Sequence, residues 1–262
     1  MNVAEIIRTR RSVRTFDGRA VTPEDREKLE EYVASIGNPY EIPVEFVFLD
    51  AKEQGLSSPV IQGAPLFVAA KVERVPHAEE AFGFSFEKLV LYAWSLGIGT
   101  TWIGGTMNRT QFEKAAGLEE NRKMFCMSPL GYPAKRMAIK EAAMRKMVKA
   151  DSRKPFGELF FDGDFQTPLT ECAPEIREAL EMVRLAPSAV NMQPWRIVRE
   201  EDRFHFYLKR NKGYAGGSSD LQKVDMGIAL CHFLCMTEGR LVLEDPGKAT
   251  GKDMEYIATV AV

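Results

Sequence analysis

The chain lacks any apolar run close to the ~20 residues a membrane-spanning helix requires, so nothing in its 262 residues suggests a bilayer span. Histidine is scarce: His77, His205 and His232 are scattered, and no metal cluster or catalytic triad can be read around them. The four cysteines contain no C-x-x-C pair, which removes the usual zinc and thioredoxin-like spacings. Excess charge is also absent. A formal net charge of -2 gives no electrostatic reason to expect nucleic acid or an anionic membrane as a partner. Residues Met1 to Arg14 have no apolar stretch followed by a small-residue cleavage site, so a cytoplasmic location is expected.

What is present fits a soluble globular chain. Hydrophobic residues make up 45% and charged residues 27%, enough for a real core in one large domain or two small ones. Cys231 and Cys235 flank His232 on an expected helix. A metal reading is available, but Ile228 to Met236 is almost wholly apolar, and free cysteine packs there as a small hydrophobe.

The chain repeats itself. Thr22-Pro23-Glu24-Asp25-Arg26-Glu27-Lys28-Leu29-Glu30 aligns with Ala173-Pro174-Glu175-Ile176-Arg177-Glu178-Ala179-Leu180-Glu181. The same offset pairs Pro43 with Pro194 and Val47 with Val198, without a gap. Each copy reads as helix, loop and strand. Thr22 suits an N-cap and Pro23 the first helical position. In the second copy Ile176, Leu180 and Val183 form one apolar stripe, and Pro187 ends the helix. Strands are expected at Val44–Leu49, Arg196–Val198 and Phe204–Leu208. Long apolar helices are expected at Phe84–Leu96 and Met226–Thr237, and closing strands at Met124–Leu130 and Met254–Val262. The order is α+β, with halves at 1–162 and 163–262. Ala134–Phe165 reads as a connector.

Three segments can carry chemistry. Arg10, Arg11, Ser12 and Arg14 put three guanidiniums and a hydroxyl within five residues, a set able to grip a phosphate. A solvated basic face is the bland alternative. Gly97-Ile98-Gly99-Thr100-Thr101-Trp102-Ile103-Gly104-Gly105 would let backbone N–H groups approach a planar ring. Ala186-Pro187-Ser188-Ala189-Val190-Asn191-Met192-Gln193-Pro194-Trp195 offers amides and a hydroxyl suited to a ligand with donor and acceptor edges.

Together these segments resemble the FMN-dependent nitroreductase family. The last is similar to its A-P-S-x-x-N-x-Q-P-W signature, the first to its N-terminal R-R-S-x-R. Trp102-Ile103-Gly104-Gly105 resembles its W-i-G-G, Gly131-Tyr132-Pro133 its G-Y-P, and Arg153-Lys154-Pro155 its R-K-P. The resemblance implies a nitroreductase-like fold and a bound FMN. It implies that Arg10 and Ser12, with Arg153, hold the phosphate, that Arg11 belongs to the same cofactor-binding set, and that Arg14 approaches the pyrimidine edge. Gly104 and Gly105 would lie against the ring, and Pro187, Ser188, Asn191 and Gln193 would reach it from the other subunit of a family dimer. The remaining basic residues of the connector, Lys135, Arg136, Lys140, Arg145, Lys146 and Lys149, are expected mostly in solvent.

The two halves have lost opposite parts. At the positions of Ser188, Asn191 and Gln193 the first copy has Gly37, Tyr40 and Ile42, and the second copy has neither R-R-S-x-R nor W-I-G-G. One flavin site at the junction is therefore expected, in a single-chain pseudo-dimer similar to the TM nitroreductase subfamily, and a monomer. The implied activity passes electrons from NADH or NADPH through FMN to a small-molecule acceptor. Its alternatives are an FMN-binding protein without turnover and a family member with other flavin chemistry.

Overall fold

The computed structural model describes residues 2–211, 220–248 and 251–262. Within them the chain opens with helices α1 (Val3–Thr9) and α2 (Pro23–Ser35). Strands β1 (Val44–Asp50) and β2 (Leu66–Glu73) follow, then helices α3 (Ala78–Ser95) and α4 (Arg109–Ala115) and the short strands β3 (Arg122–Lys123) and β4 (Met127–Leu130). Helix α5 (Ile139–Met147) and strand β5 (Phe160–Asp162) come next. The rest comprises α6 (Pro174–Leu185), β6 (Trp195–Glu200), β7 (Arg203–Lys209), α7 (Leu221–Leu234), β8 (Arg240–Val242) and β9 (Met254–Ala261). The architecture is α+β, as the sequence implies.

Local chemistry explains the repeated helix. The Thr22 hydroxyl accepts the Asp25 N–H at 3.1 Å, and Pro23 fills the first turn, where its missing N–H costs nothing. Pro174 does the same for α6, which stops before Pro187 with Ala186 in extended backbone. Leu29 in α2 and Leu180 and Val183 in α6 are fully buried. Such burial contributes about 1.5–3 kcal/mol per side chain.

Two sheets result. In the first, β2 pairs antiparallel with β1 on one side and with β3 and β4 on the other. The second has the order β5-β6-β7-β9-β8, with β5 parallel to β6 and the remaining pairs antiparallel. Strand β2 has no alternation to read in sequence because its first seven residues are all buried. The stretch read as a connector is more structured than expected. It carries α5 and β5, and β5 pairs in the sheet of the second half although it precedes residue 163.

The two sheets sit on either side of a central helix pair. Helix α3 begins at Ala78, earlier than its apolar pattern suggests, because Glu79 and Glu80 form a polar first turn. It crosses α7 at Gly83 and Gly227. A Cβ at Gly83 would lie 2.1 Å from the Val224 carbonyl oxygen, and a Cβ at Gly227 would lie 2.1 Å from that of Glu80. The contact is reciprocal: each helix presses a carbonyl, three residues before its own glycine, onto the glycine of the other. Such mutual contact is how a two-fold interface is built, here within one chain.

Candidate functional site

The basic segment leaves α1 in extended backbone, with Arg10 as the helix C-cap. It is pinned on both sides: the Val13 N–H donates to the Thr100 carbonyl, and the Thr15 hydroxyl donates to the Glu141 carboxylate at 2.7 Å. Ser12 bridges to Thr100, so the phosphate-type motif runs beside the glycine-rich segment. Arg11 lies 3.9 Å from Glu141. Arg14 is half-buried and lines a cleft of about 210 Å³ with Gln62, Ala138 and Glu141.

Arg10 points inward. Burial pulls its guanidinium below the usual value, opposed by the charge of Glu87. Its Nε is 4.0 Å from Glu87, and its Nη1 is buried without a hydrogen-bond partner. Arg153 arrives from beyond α5. Burial lowers its pKa too, and the charge of Arg10 adds to the shift, so the two guanidiniums are close enough to repel. Its Nη groups donate to the carbonyls of Ala150, Ser152 and Leu185, while its Nε is buried and unpartnered. Unsatisfied buried donors are costly. An oxyanion within reach of these nitrogens would supply a missing acceptor and offset the repulsion, so these residues fit a phosphate group.

Arg145 corrects one expectation. Its side chain is only 14% exposed, and its charge is felt by Arg10, Arg14 and Arg153. It pairs with Asp151 and lines a cleft of about 430 Å³ with Lys146, Lys149 and Ser152. A run of basic residues on a short amphipathic helix does not reveal in sequence which one turns inward.

The signature loop comes from the second half and meets this cluster. Arg153 Nη1 is 3.5 Å from Asn191 Oδ1, and the Asn191 amide donates to the carbonyls of Lys149 and Ser152. Gln193 accepts the Lys154 N–H at 2.8 Å and donates to Asn191, and its own N–H is taken by the Ser188 hydroxyl. Val190, Asn191 and Gln193 all have left-handed backbone, at φ 42°, 60° and 50°. For the β-branched Val190 this is strained, and such strain concentrates at ligand clamps. Both Asp225 carboxylate oxygens accept the Ala189 N–H, at 3.0 and 3.1 Å, tying the loop to α7. Burial holds the Asp225 carboxyl well above the usual range.

The glycine segment runs beside the basic one. A Cβ at Gly104 would touch Cys126 and the Leu221 side chain of α7 at 3.2 Å, so this segment also borders α7. Gly105 faces open space, with nothing within 4 Å of an added Cβ. The Trp102 indole N–H donates to Glu87 at 2.9 Å. Pro187 lies between α6 and the signature loop, setting where that loop begins.

The structure thus brings Arg10, Arg153, Asn191 and Gln193 into one linked cluster. Arg11, Ser12 and Arg14 follow Arg10 along the segment that runs beside the glycine-rich stretch, in which Gly104 borders Cys126 and Leu221. Sequence reading missed Glu87 and His232 as members. Their signal was a carboxylate and an imidazole set among the apolar residues Phe84–Leu91 and Ile228–Leu234, where buried polar groups need partners. No group of three or more His, Cys, Asp or Glu side chains suited to a metal occurs among the described residues, and no described helix is long and apolar enough to cross a membrane.

The family described as "Putative TM nitroreductase" matches residues 2–237. Among solved structures, a Thermotoga maritima protein described as a "putative nitroreductase" shares the fold at TM-score 0.62 and 22% identity, covering 100% of this chain and 94% of its own. An FMN-dependent nitroreductase from Clostridium difficile R20291 aligns with 53% of this chain and 92% of its own, at 17% identity and TM-score 0.44. None of the curated proteins matches significantly. With the motif cluster in place and the family match running over nearly its whole length, the chain belongs to the TM nitroreductase family.

Proposed function

We propose that the chain is an FMN-dependent oxidoreductase of nitroreductase type, with one flavin bound where the halves 1–162 and 163–262 meet. The observation that carries this reading is the pair of buried, unpartnered donors, Arg10 Nη1 and Arg153 Nε, beside Asn191 from the other half. Arg10, Arg11, Ser12 and Arg153 would hold the phosphate, with Arg145 as a further cation. Charge-assisted bonds to phosphate are short and strong, and a planar guanidinium can make two at once.

Arg14 would set a fixed positive charge at the pyrimidine edge. The backbone at Gly104–Gly105 would let the ring approach, and Pro187, Ser188, Asn191 and Gln193 would fix its position from the second half. Bound FMN would supply the redox chemistry, taking hydride from NADH or NADPH and passing electrons to a small-molecule acceptor. The protein contributes orientation, exclusion of water and a positive field. The crossing of α3 and α7 within one chain supports a working monomer.

The test is the absorbance spectrum of purified protein after incubation with FMN and desalting. About one FMN per chain is expected, bleached on adding NADH or NADPH. A chain that retains no flavin would refute the reading.

A further inference from the structure

Glu87 joins three parts of the candidate site. One carboxylate oxygen accepts the Trp102 indole N–H at 2.9 Å, and the other lies 3.0 Å from His232 Nε2 and 4.0 Å from Arg10 Nε. The Glu87 and His232 side chains are both completely buried. The second nitrogen of His232, Nδ1, is 2.8 Å from the Met182 carbonyl oxygen. A carbonyl only accepts, so Nδ1 carries a hydrogen. A hydrogen bond at Nε2 then needs one further proton between the ring and Glu87. Trp102 donates to that carboxyl and the Arg10 guanidinium stands beside it, so its oxygens face donors and a cation, the surroundings of a carboxylate. The proton therefore resides on the ring.

We infer that His232 is held as a buried imidazolium that neutralises Glu87 and so leaves the charge of Arg10 free for the phosphate of the cofactor. This rests on the flavin reading above. Without the imidazolium, Glu87 would be the natural counter-ion of Arg10, only 4.0 Å away, and the pair would present no net charge to an anion. With it, the Arg10–Glu87–His232 cluster carries one net positive charge, and Arg10 Nη1 stays unpartnered. His232 is a positioning residue, acting on the ligand through Glu87 and Arg10. Its helix α7 belongs to the second half, so the second half would contribute to the phosphate site by charge as well as by its signature loop. The other titratable groups facing the cluster are Lys88 on α3, Cys231 and Cys235 on α7, and Arg145 and Arg153 beyond Arg10.

The experiment compares FMN with riboflavin, which lacks the phosphate, in the wild type, His232→Gln and the double variant His232→Gln/Glu87→Gln. Glutamine can still donate to residue 87 but carries no charge. His232→Gln should weaken FMN on the order of tenfold, as expected for losing one buried charge partner, and leave riboflavin unchanged. The double variant should recover FMN affinity, because Arg10 then has no counter-ion to capture it. Equal losses for both flavins, no loss, or failure of the double variant to recover would overturn the inference. Nitrogen-15 NMR of labelled histidine supplies a readout independent of flavin. It should show one ring protonated on both nitrogens at pH 7, with a signal that vanishes in His232→Gln, and a neutral ring would overturn the inference. If the wild type retains no FMN, the flavin reading itself fails, and the NMR still decides the charge state.

Discussion

Gly227→Ala sets two physical effects against each other. In a helix interior, alanine is better than glycine by about 1 kcal/mol, so α7 alone would be stabilised. Packing predicts the reverse. The added methyl would lie 2.1 Å from the Glu80 carbonyl oxygen and 2.8 Å from the Glu80 carbon and the Phe84 nitrogen. All three are backbone atoms of α3, so no side chain can move aside. Normal contact begins near 3.4 Å, and the helices must part by roughly 1 Å. Overpacking costs about 1–3 kcal/mol and more where relief is blocked. After the propensity gain, a net loss of about 2 kcal/mol remains. In a chain of this size that lowers Tm by roughly 4–8 °C. Thermal unfolding followed by circular dichroism measures it, and Gly83→Ala should behave alike because Val224 meets it at the same 2.1 Å. A Gly227→Ala protein that melts at or above the wild type would refute the close crossing and the internal two-fold interface.

Other outcomes follow from the site. Arg10→Ala and Asn191→Ala, in different halves, should each weaken FMN by about 1.5–3 kcal/mol, roughly tenfold to a hundredfold; an unchanged affinity for Asn191→Ala in a fluorescence titration would remove the cross-half clamp. Gly105→Ala should leave the melting temperature unchanged, since an added Cβ meets nothing within 4 Å, yet reduce flavin retention if the ring binds there as proposed. Burial pushes the Glu80 carboxyl up to about 7 from 4.5. The folded chain thus keeps a proton that the unfolded chain releases, and stability falls as pH rises from about 4.5 to 7. Glu80→Gln should therefore be more stable than the wild type at pH 8, by up to about 3 kcal/mol, and match it at pH 4. Denaturation curves at the two pH values check the sign.

Much of this was legible because it is local. Caps and proline stops act within one turn, so Thr22, Pro23, Pro174 and Pro187 announced their helix ends. The repeat announced a helix followed by a strand after Pro23 and again after Pro174, and the motifs named Arg10, Arg153, Asn191 and Gln193, which cluster. Other features were not legible. Strand β2 is buried along nearly its whole length and offers no period to read, and β5 owes its place to pairing with β6, more than thirty residues further along the chain. Sequence could not decide which connector arginine faces inward, since that depends on where α5 docks through Glu141 onto Thr15.

The sequence by itself therefore determined the family, the α+β character and the chemical types available for a phosphate and a planar ring, because these follow from residue identity and short-range spacing. Only the tertiary structure decided which charges meet. The two central glycines bring α3 and α7 into backbone contact, and that contact sets His232 of one half on Glu87 of the other, beside Arg10. Electrostatic coupling depends on distance and burial, and both arise when the chain packs, between residues far apart in sequence.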